Sequence, residues 1–424
     1  MAEIEERKEV KEVLLHYHER PYEVPLAERL ILFKRLIELT KNDEAQKSAE
    51  WHLKRSRAIG GSEIKKALKV QGNREYYSML KEKAGFGSFF GNLFTMFGSI
   101  IEESSRRITE LLFNTTIYEF TSLPGSIPGT SYSPDGISVI ELYDRTFIIL
   151  WEYKSPFVRA PIRTIPDEYR AQITSGLCHI RLADFGIFTN FAFRICELDD
   201  YNDTLIWNTD LQPKNPKYKL NAPNVLGLGM LVFTHKEVGD YKPKLEKLVE
   251  YTERRASNPE LLEEQLLMKG EEDYGKLTDQ NKLMELFRGV EPGEVIVHHL
   301  EPYLFLDALK SRDYLQHILN ISVESTPEID QVKLAHECLL NNMDCLRDKC
   351  GAMETIIGVL PFKLMDLDLI RVNRDPDYMR PFMEGINTFN DIMPLAMELP
   401  PEKRLPFIRS KLGIVEIDAD ESIF

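Results

Sequence analysis

The hydrophobic period of this chain changes from helical to alternating just after Phe113, and that switch limits the fold more than any other feature. Before it, "SIIEESSRRITELLF" (99–113) sets Ile100, Ile101, Ile108, Leu111 and Leu112 near one face of a helix. After it, "TIYEFTSL", "SYSPDGISVIEL" and "TFIILWEY" are β-branched and aromatic. They are separated by Pro124-Gly125, Pro128-Gly129 and a turn at Tyr143-Asp144-Arg145, so the spacing predicts a β meander. A helix is expected over "IPDEYRAQITSGLCHIRL" (165–182), with Pro166 in its first turn, and then a strand, "DFGIFTNFAFRICEL". The order α, βββ, α, β describes a compact α/β (α+β) domain with a sheet flanked by helices.

The flanking regions read differently. "VPLAERLILFKRLIELTKND" (24–43) has helical spacing, and "EAQKSAEWHLKRSRAIGGSEIKKALKV" (44–70) reads as helix, a Gly60-Gly61 break, and a helix capped by Ser62. From Asp199 to about Lys349 the chain suggests an Asn- and Pro-rich loop, an apolar strand at 227–234 and several charged amphipathic helices. "METIIGVLPFKLMDLDLIRVNRDPDYMRPFMEGINTFNDIM" returns to strand, turn and helix, and "EIDADESIF" is an acidic tail.

Composition removes several functional classes. With 424 residues, 43% of them hydrophobic, the chain can bury one large core or two modest ones. Its longest apolar runs, such as "VLGLGMLVF", fall short of the roughly 20 residues of a membrane helix, and "MAEIEERKEV" is too charged for a secretory signal. An intracellular protein is expected, with no membrane partner. Five cysteines (Cys178, Cys196, Cys338, Cys345, Cys350) are too few and odd in number for a disulfide framework. The net charge of −15 argues against a protein that coats nucleic acid, so any such contact needs a local positive patch.

Within the meander, acidic residues stand where the pattern asks for apolar ones. Asp135 precedes one strand, and Glu152 and Lys154 lie two apart, hence on one face, near the end of another. If adjacent strands project Asp135 and Glu152 to the same end, they make an all-oxygen site of the kind that holds Mg²⁺. Lys154 could then orient a water or steady charge building on phosphorus, an arrangement suited to phosphodiester hydrolysis. The plainer alternative is that Asp-Gly is a turn and Glu-x-Lys a solvated strand face with a weak ion pair.

A second feature is the start of "GGSEIKKALK". A helix N-terminus offers free N–H groups, and a Ser hydroxyl adds a donor, which makes an anion site. Residues 54–69 carry Lys54, Arg55, Arg57, Lys65, Lys66 and Lys69 against the single acid Glu63. A capped amphipathic helix with solvated lysines is the alternative reading.

Taken in order, these segments resemble the lambda-exonuclease (YqaJ-type) viral recombination nucleases of the PD-(D/E)xK superfamily. "RSRAIGGS" (55–62) looks like that family's arginine and helix-start serine, which implies Arg55 and Ser62 as a 5′-phosphate clasp, with Arg57 competing for the role of Arg55. "GSIIE" (98–102) implies Glu102 as a metal ligand; "SPDG" and "WEYKSPF" imply metal-binding Asp135 and Glu152, a carbonyl ligand from Tyr153, and Lys154 on the nucleophile. "YRAQ" (169–172) implies Gln172 in the active site and Tyr169 near it. Tyr153 and Ser155 depart from the family's usual aliphatic and small or Cys residues.

The resemblance implies a PD-(D/E)xK restriction-endonuclease-like core with a central mixed sheet. It divides the chain into a helical extension (1–49), the first part of the core (50–198), a mostly helical insertion (199–357), the last core strand and helix (358–412) and the tail (413–424). It further implies two Mg²⁺ ions, for which Mn²⁺ can substitute, and double-stranded DNA with a free 5′ end as substrate. A single-strand annealing protein as partner, a homo-oligomer, and action in the host cytoplasm (viral factory) or nucleus for a large DNA virus also follow from it. Two other readings stay open: an endonuclease or RNA-degrading host-shutoff enzyme of the same fold, and a catalytically inactive DNA-binding scaffold.

Weaker candidates complete the reading. His336, Cys338, Cys345 and Cys350 lack the close Cys pair of a zinc knuckle. His298-His299 borders an apolar run, and "GFGSFFGNLFTMFG" lacks the phosphate-loop Lys-Ser, its phenylalanines suggesting core or a duplex-splitting wedge.

Overall fold

The computed structural model describes residues 25–41, 56–70, 72–86, 93–142, 144–155, 163–195, 225–235, 295–305, 309, 341 and 355–414. The elements in chain order are α1 (Leu26–Thr40), β1 (Ile59–Gly60), a 3-10 helix (Gly61–Leu68), α2 (Arg74–Lys81), a π-type turn (Glu82–Phe86), α3 (Leu93–Phe113), β2 (Ile117–Tyr118), β3 (Leu123–Pro124), β4 (Thr130–Tyr132), β5 (Gly136–Leu142), β6 (Arg145–Lys154), α4 (Asp167–His179), β7 (Phe185–Ile195), β8 (Gly227–His235), β9 (Val295–His299), β10 (Tyr303–Leu304), β11 (Thr355–Val372), α5 (Met383–Glu398) and α6 (Pro401–Leu412).

The main sheet has eight strands in the order β10-β8-β11-β7-β6-β5-β2, with β9 paired to β8. It is mixed: β6 and β7 run parallel, while β5/β6, β7/β11 and β8/β11 are antiparallel. The parallel pair needs a crossover, and α4 supplies it. A hairpin joins β5 to β6, with Leu142 opposite Arg145 and Asp144 at φ 60°, a conformation Asp tolerates in tight turns.

Alternation along β6 sorts the layers. Ile149, Trp151 and Tyr153 enter a cluster with Ile101 and Ile108 of α3, while Ile148 and Leu150 enter another with Ile173 and Leu177 of α4 and Phe33 and Leu36 of α1. The sheet is thus covered on both faces, as a strand carrying apolar residues at consecutive positions requires. A third cluster joins the 3-10 helix, α2, α5 and α6 through Ile64, Tyr76, Phe389 and Ile408.

Several local expectations are corrected. "SYSPDGISVIEL" is not one strand: Thr130–Tyr132 pairs with β1 and β3 in a separate three-stranded sheet, and the chain joins the main sheet only at Gly136. Pro134 between them has no N–H for a ladder, so the break falls there. "TIYEFTSL" is likewise divided, Ile117–Tyr118 pairing with β5 and Leu123–Pro124 with β4.

Ser62 is not the helix cap. Pairing with β4 holds Gly60 extended, so the helix starts at Gly61, and the buried Glu63 carboxylate accepts the Gly60 N–H at 2.8 Å in the capping role. Pro166 takes the cap position of α4 rather than its first turn. Within 199–357 the described strands β8, β9 and β10 all join the main sheet, β8 beside β11 and both β9 and β10 paired with β8. Among the described residues, no helix is long and apolar enough to cross a membrane.

Candidate active site

The end of β6 gathers the acidic residues. Glu152 and Lys154 continue the face of Ile148 and Leu150, toward α4, because side chains alternate along a strand. Antiparallel register pairs Gly136 with Trp151, so Asp135, one residue outward, stands across from Glu152. The Asp135 carboxylate accepts the Tyr153 N–H at 2.7 Å. Lys154 Nζ donates to Glu152 Oε1 and lies 4.0 Å from Asp135 Oδ2. This is the convergence expected from the two strands, at the carboxyl end of a parallel strand, where α/β sheets hold ligands.

Glu152 is fully buried, and its other oxygen accepts the Tyr132 hydroxyl at 2.9 Å. Burial and then the Asp135 charge push its carboxyl up to about 7, against the opposing pull of Lys154 and Tyr132. For Lys154, burial works against the charged form, but Glu152 and Asp135 outweigh it and the ammonium is held above its ordinary range. Two carboxylates facing one ammonium leave the cluster short of positive charge. That all-oxygen donor set fits a hard divalent cation. Among the described residues, no three or more His, Cys, Asp or Glu side chains are grouped for a metal.

The neighbouring candidates take distinct places. Glu102 sits half-buried on α3, and its charge contributes to holding Lys154 protonated. One turn on, Ser105 Oγ and Ser155 Oγ meet at 3.0 Å, fastening α3 to the end of β6. Tyr169 stacks on Phe188 at 5.7 Å and presents its ring 5.1 Å from Lys154 Nζ, a cation–π contact that steadies the ammonium. Gln172, on the same helix, lies beside Gly61, its Cγ 3.6 Å from where a Cβ on Gly61 would sit. The side chain of Tyr153 points the other way, stacked parallel to Trp151 at 6.3 Å in the core, so an aromatic is accommodated there.

Ser62 is exposed in the first turn of the 3-10 helix, which packs against α4. The only acid of that stretch, Glu63, is buried and paired with Lys83 Nζ at 2.8 Å. The surface left to solvent therefore carries Arg57, Lys65 and Lys69 with no acid from residues 61–69 to offset them. Arg55 lies outside the described residues, as do His336, Cys338, Cys345 and Cys350.

Sequence reasoning missed Tyr132 and Asn190. Asn190 is in register with Lys154 on one side and with Asp368 on the other, and both Asn190 and Asp368 are almost fully buried. Arg163 lies 3.2 Å from Asp366 and 3.5 Å from Asp368, whose carboxyl is nonetheless raised by burial. The signal was available: "KLMDLDLI" sets Asp366 and Asp368 two apart in an apolar run, the same departure that marks Glu152. Tyr132 carried no such mark, because a tyrosine in a strand is ordinary.

His298 and His299 are bound within the fold, His298 Nε2 to Thr234 Oγ1 and His299 Nδ1 to Ser104 Oγ, each at 2.9 Å. Burial pulls His299 down to about 4 from the usual 6.5. Above pH 6.5 the imidazole is neutral folded or unfolded; below it only the unfolded chain takes the proton, so stability falls as pH drops toward 4. The loss is roughly 2–3 kcal/mol. His299→Asn should flatten this limb in urea titrations from pH 7 to 4, and an unchanged slope would contradict the assignment.

No protein-family model matches the chain. It is 29% identical over 201 residues to a protein of African swine fever virus, in both the Badajoz strain and a Malawi tick isolate, a match covering 42% of this chain. The match takes in 58% of the length of these viral relatives. A solved alkaline exonuclease from Laribacter hongkongensis is similar over 34% of this chain and 74% of its own, with 18% identity and a TM-score of 0.28. Its complex with dAMP scores 0.27 at 16% identity. Likenesses at that level bear on neither the fold nor the activity of this chain.

Proposed function

We propose that this chain is a Mg²⁺-dependent nuclease of the PD-(D/E)xK type that hydrolyses phosphodiester bonds of duplex DNA from a free 5′ end, in viral recombination, repair or genome processing. The observation that carries the reading is the convergence of Asp135, Glu152 and Lys154 at the end of β6, with Glu152 wholly buried and the group short of positive charge. Two carboxylates sharing a single ammonium, one of them fully buried, are costly to hold without a further cation, and such an arrangement at a strand end marks a candidate binding site. Similarity to African swine fever virus proteins supports the viral setting.

In this reading Asp135, Glu152 and the Tyr153 carbonyl would hold Mg²⁺ or Mn²⁺, and the family resemblance adds Glu102 of α3 and a second ion. When bound, the ion supplies Lewis acidity and a water acidic enough to attack near neutral pH. Lys154, backed by Tyr169, would orient an attacking water and steady the charge that builds on phosphorus. Gln172 flanks the scissile group. Ser62 and Arg57, with Arg55, would receive the 5′-phosphate at the start of the 3-10 helix, where the positive end of the helix and the exposed Arg57, Lys65 and Lys69 favour an anion.

The test compares linear duplex DNA, with and without a 5′-phosphate, against a covalently closed circle and against RNA, each with and without Mg²⁺. The proposal expects consumption of linear DNA only, faster with the phosphate, a preference that Arg57→Ala reduces. Cutting of the circle at a similar rate would move the assignment to an endonuclease and remove the clasp roles. Tight binding with no cleavage under any metal would make the chain a scaffold.

A further inference from the structure

We propose that Tyr132 is a positioning residue that fixes Glu152 and links it to the anion-binding turn at Gly60–Ser62, so that a phosphate at the turn and a cation at Glu152 bind cooperatively. The inference rests on the nuclease reading and adds to it how the two halves of the site communicate. Tyr132 is 1% exposed, and its hydroxyl donates to Glu152 Oε2 at 2.9 Å. Lys154 holds the opposite oxygen, so each oxygen of this carboxylate is gripped from a different element, one from β6 itself and one from the small sheet. Such outer partners set the rotamer and basicity of a metal-binding carboxylate.

The ring is as constrained as the hydroxyl. A Cβ on Gly61 would fall 2.5 Å from Tyr132 Cδ2, and one on Gly176 would fall 2.4 Å from its Cζ. Those distances lie well inside van der Waals contact, so a side chain at either place would have to displace the Tyr132 ring. Tyr132 is thus clamped between the first residue of the 3-10 helix and helix α4. Its strand is also bound to the same turn, since Ser131, the residue before it, pairs with Gly60. A shift of the Gly60–Ser62 backbone toward an anion therefore moves the ring, and with it the hydroxyl that holds Glu152. Coupling of this kind is reciprocal: the cation must tighten phosphate binding by the same factor.

The experiment is calorimetric titration of Ca²⁺, which avoids turnover, into the full chain, alone and with a short duplex carrying or lacking a 5′-phosphate. In the wild type the phosphorylated duplex tightens Ca²⁺ binding. Tyr132→Phe keeps the ring and the melting temperature, weakens Ca²⁺ binding by on the order of 10–100-fold, and abolishes the effect of the phosphate. Gly61→Ala, which displaces the ring and with it the still-present hydroxyl, gives the same signature.

Tyr132→Phe protein that binds Ca²⁺ like the wild type, or a wild type indifferent to the 5′-phosphate, would overturn the proposal. Glu152→Gln separates this from failure of the nuclease reading. If Glu152→Gln loses Ca²⁺ binding while Tyr132→Phe does not, only the role of Tyr132 falls. If Glu152→Gln also binds Ca²⁺ and cleaves DNA normally, the metal site itself is wrong.

Discussion

On the nuclease proposal, Lys154→Met protein should lose phosphodiester cleavage by on the order of 10²–10³-fold while remaining folded, the cost of removing one preorganised donor from a site of developing charge. The ammonium is held by Glu152, lies 4.0 Å from Asp135 and rests against the ring of Tyr169, which sets it beside both carboxylates. Methionine keeps the packing of the stem and removes the charge. Stability should change little, because the Glu152 carboxyl already sits near 7 and takes a proton when its partner is lost. Initial rates on linear duplex DNA, with circular dichroism melting as the control, decide the matter. A rate within a few-fold of the wild type would remove Lys154 from the chemistry.

Lys83→Met has its effect on stability instead, lowering it by about 3 kcal/mol, the low end of what breaking a buried ion pair costs. The Lys83 and Glu63 side chains are 4% and 12% exposed and 2.8 Å apart. Without Lys83, Glu63 keeps its bond to the Gly60 N–H but faces a largely buried site with no counter-charge. The small exposure of Glu63 admits some water, which is why the low end applies. Urea unfolding measures the loss, and adding Glu63→Gln to Lys83→Met should recover much of it, since a neutral amide needs no counter-ion. If the single variant changes stability by less than about 1 kcal/mol, the pair is not what anchors the 3-10 helix.

What could be read from the sequence follows from where the physics is local. The β-branched and aromatic run at 145–154 and the helical spacing around 99–113 and 167–179 each depend on neighbours a few residues away, and the strand and helices formed there. The set Asp135, Glu152 and Lys154 was legible for the same reason: charge at alternate positions in an apolar strand is a local departure. The split of "SYSPDGISVIEL" was not, because it depends on β4 finding β1, far earlier in the chain. The misplaced helix cap has the same origin, since pairing across the small sheet set the conformation of Gly60. Tyr132 was hidden most completely. Its role needs Gly61, Gly176 and Glu152 brought around one ring, and none of these residues announces the others in sequence.

The measurement that tests the central claim most directly is a Mg²⁺ titration of linear duplex digestion after stripping with a chelator, with wild type and Asp135→Asn side by side. Asparagine preserves the size of the side chain and its bond to the Tyr153 N–H but removes the charge that a cation needs. The wild type should be silent without metal and gain activity that saturates with Mg²⁺, while Asp135→Asn stays inactive at every concentration. Full cleavage by Asp135→Asn, or wild-type cleavage that persists in chelator, would contradict the account.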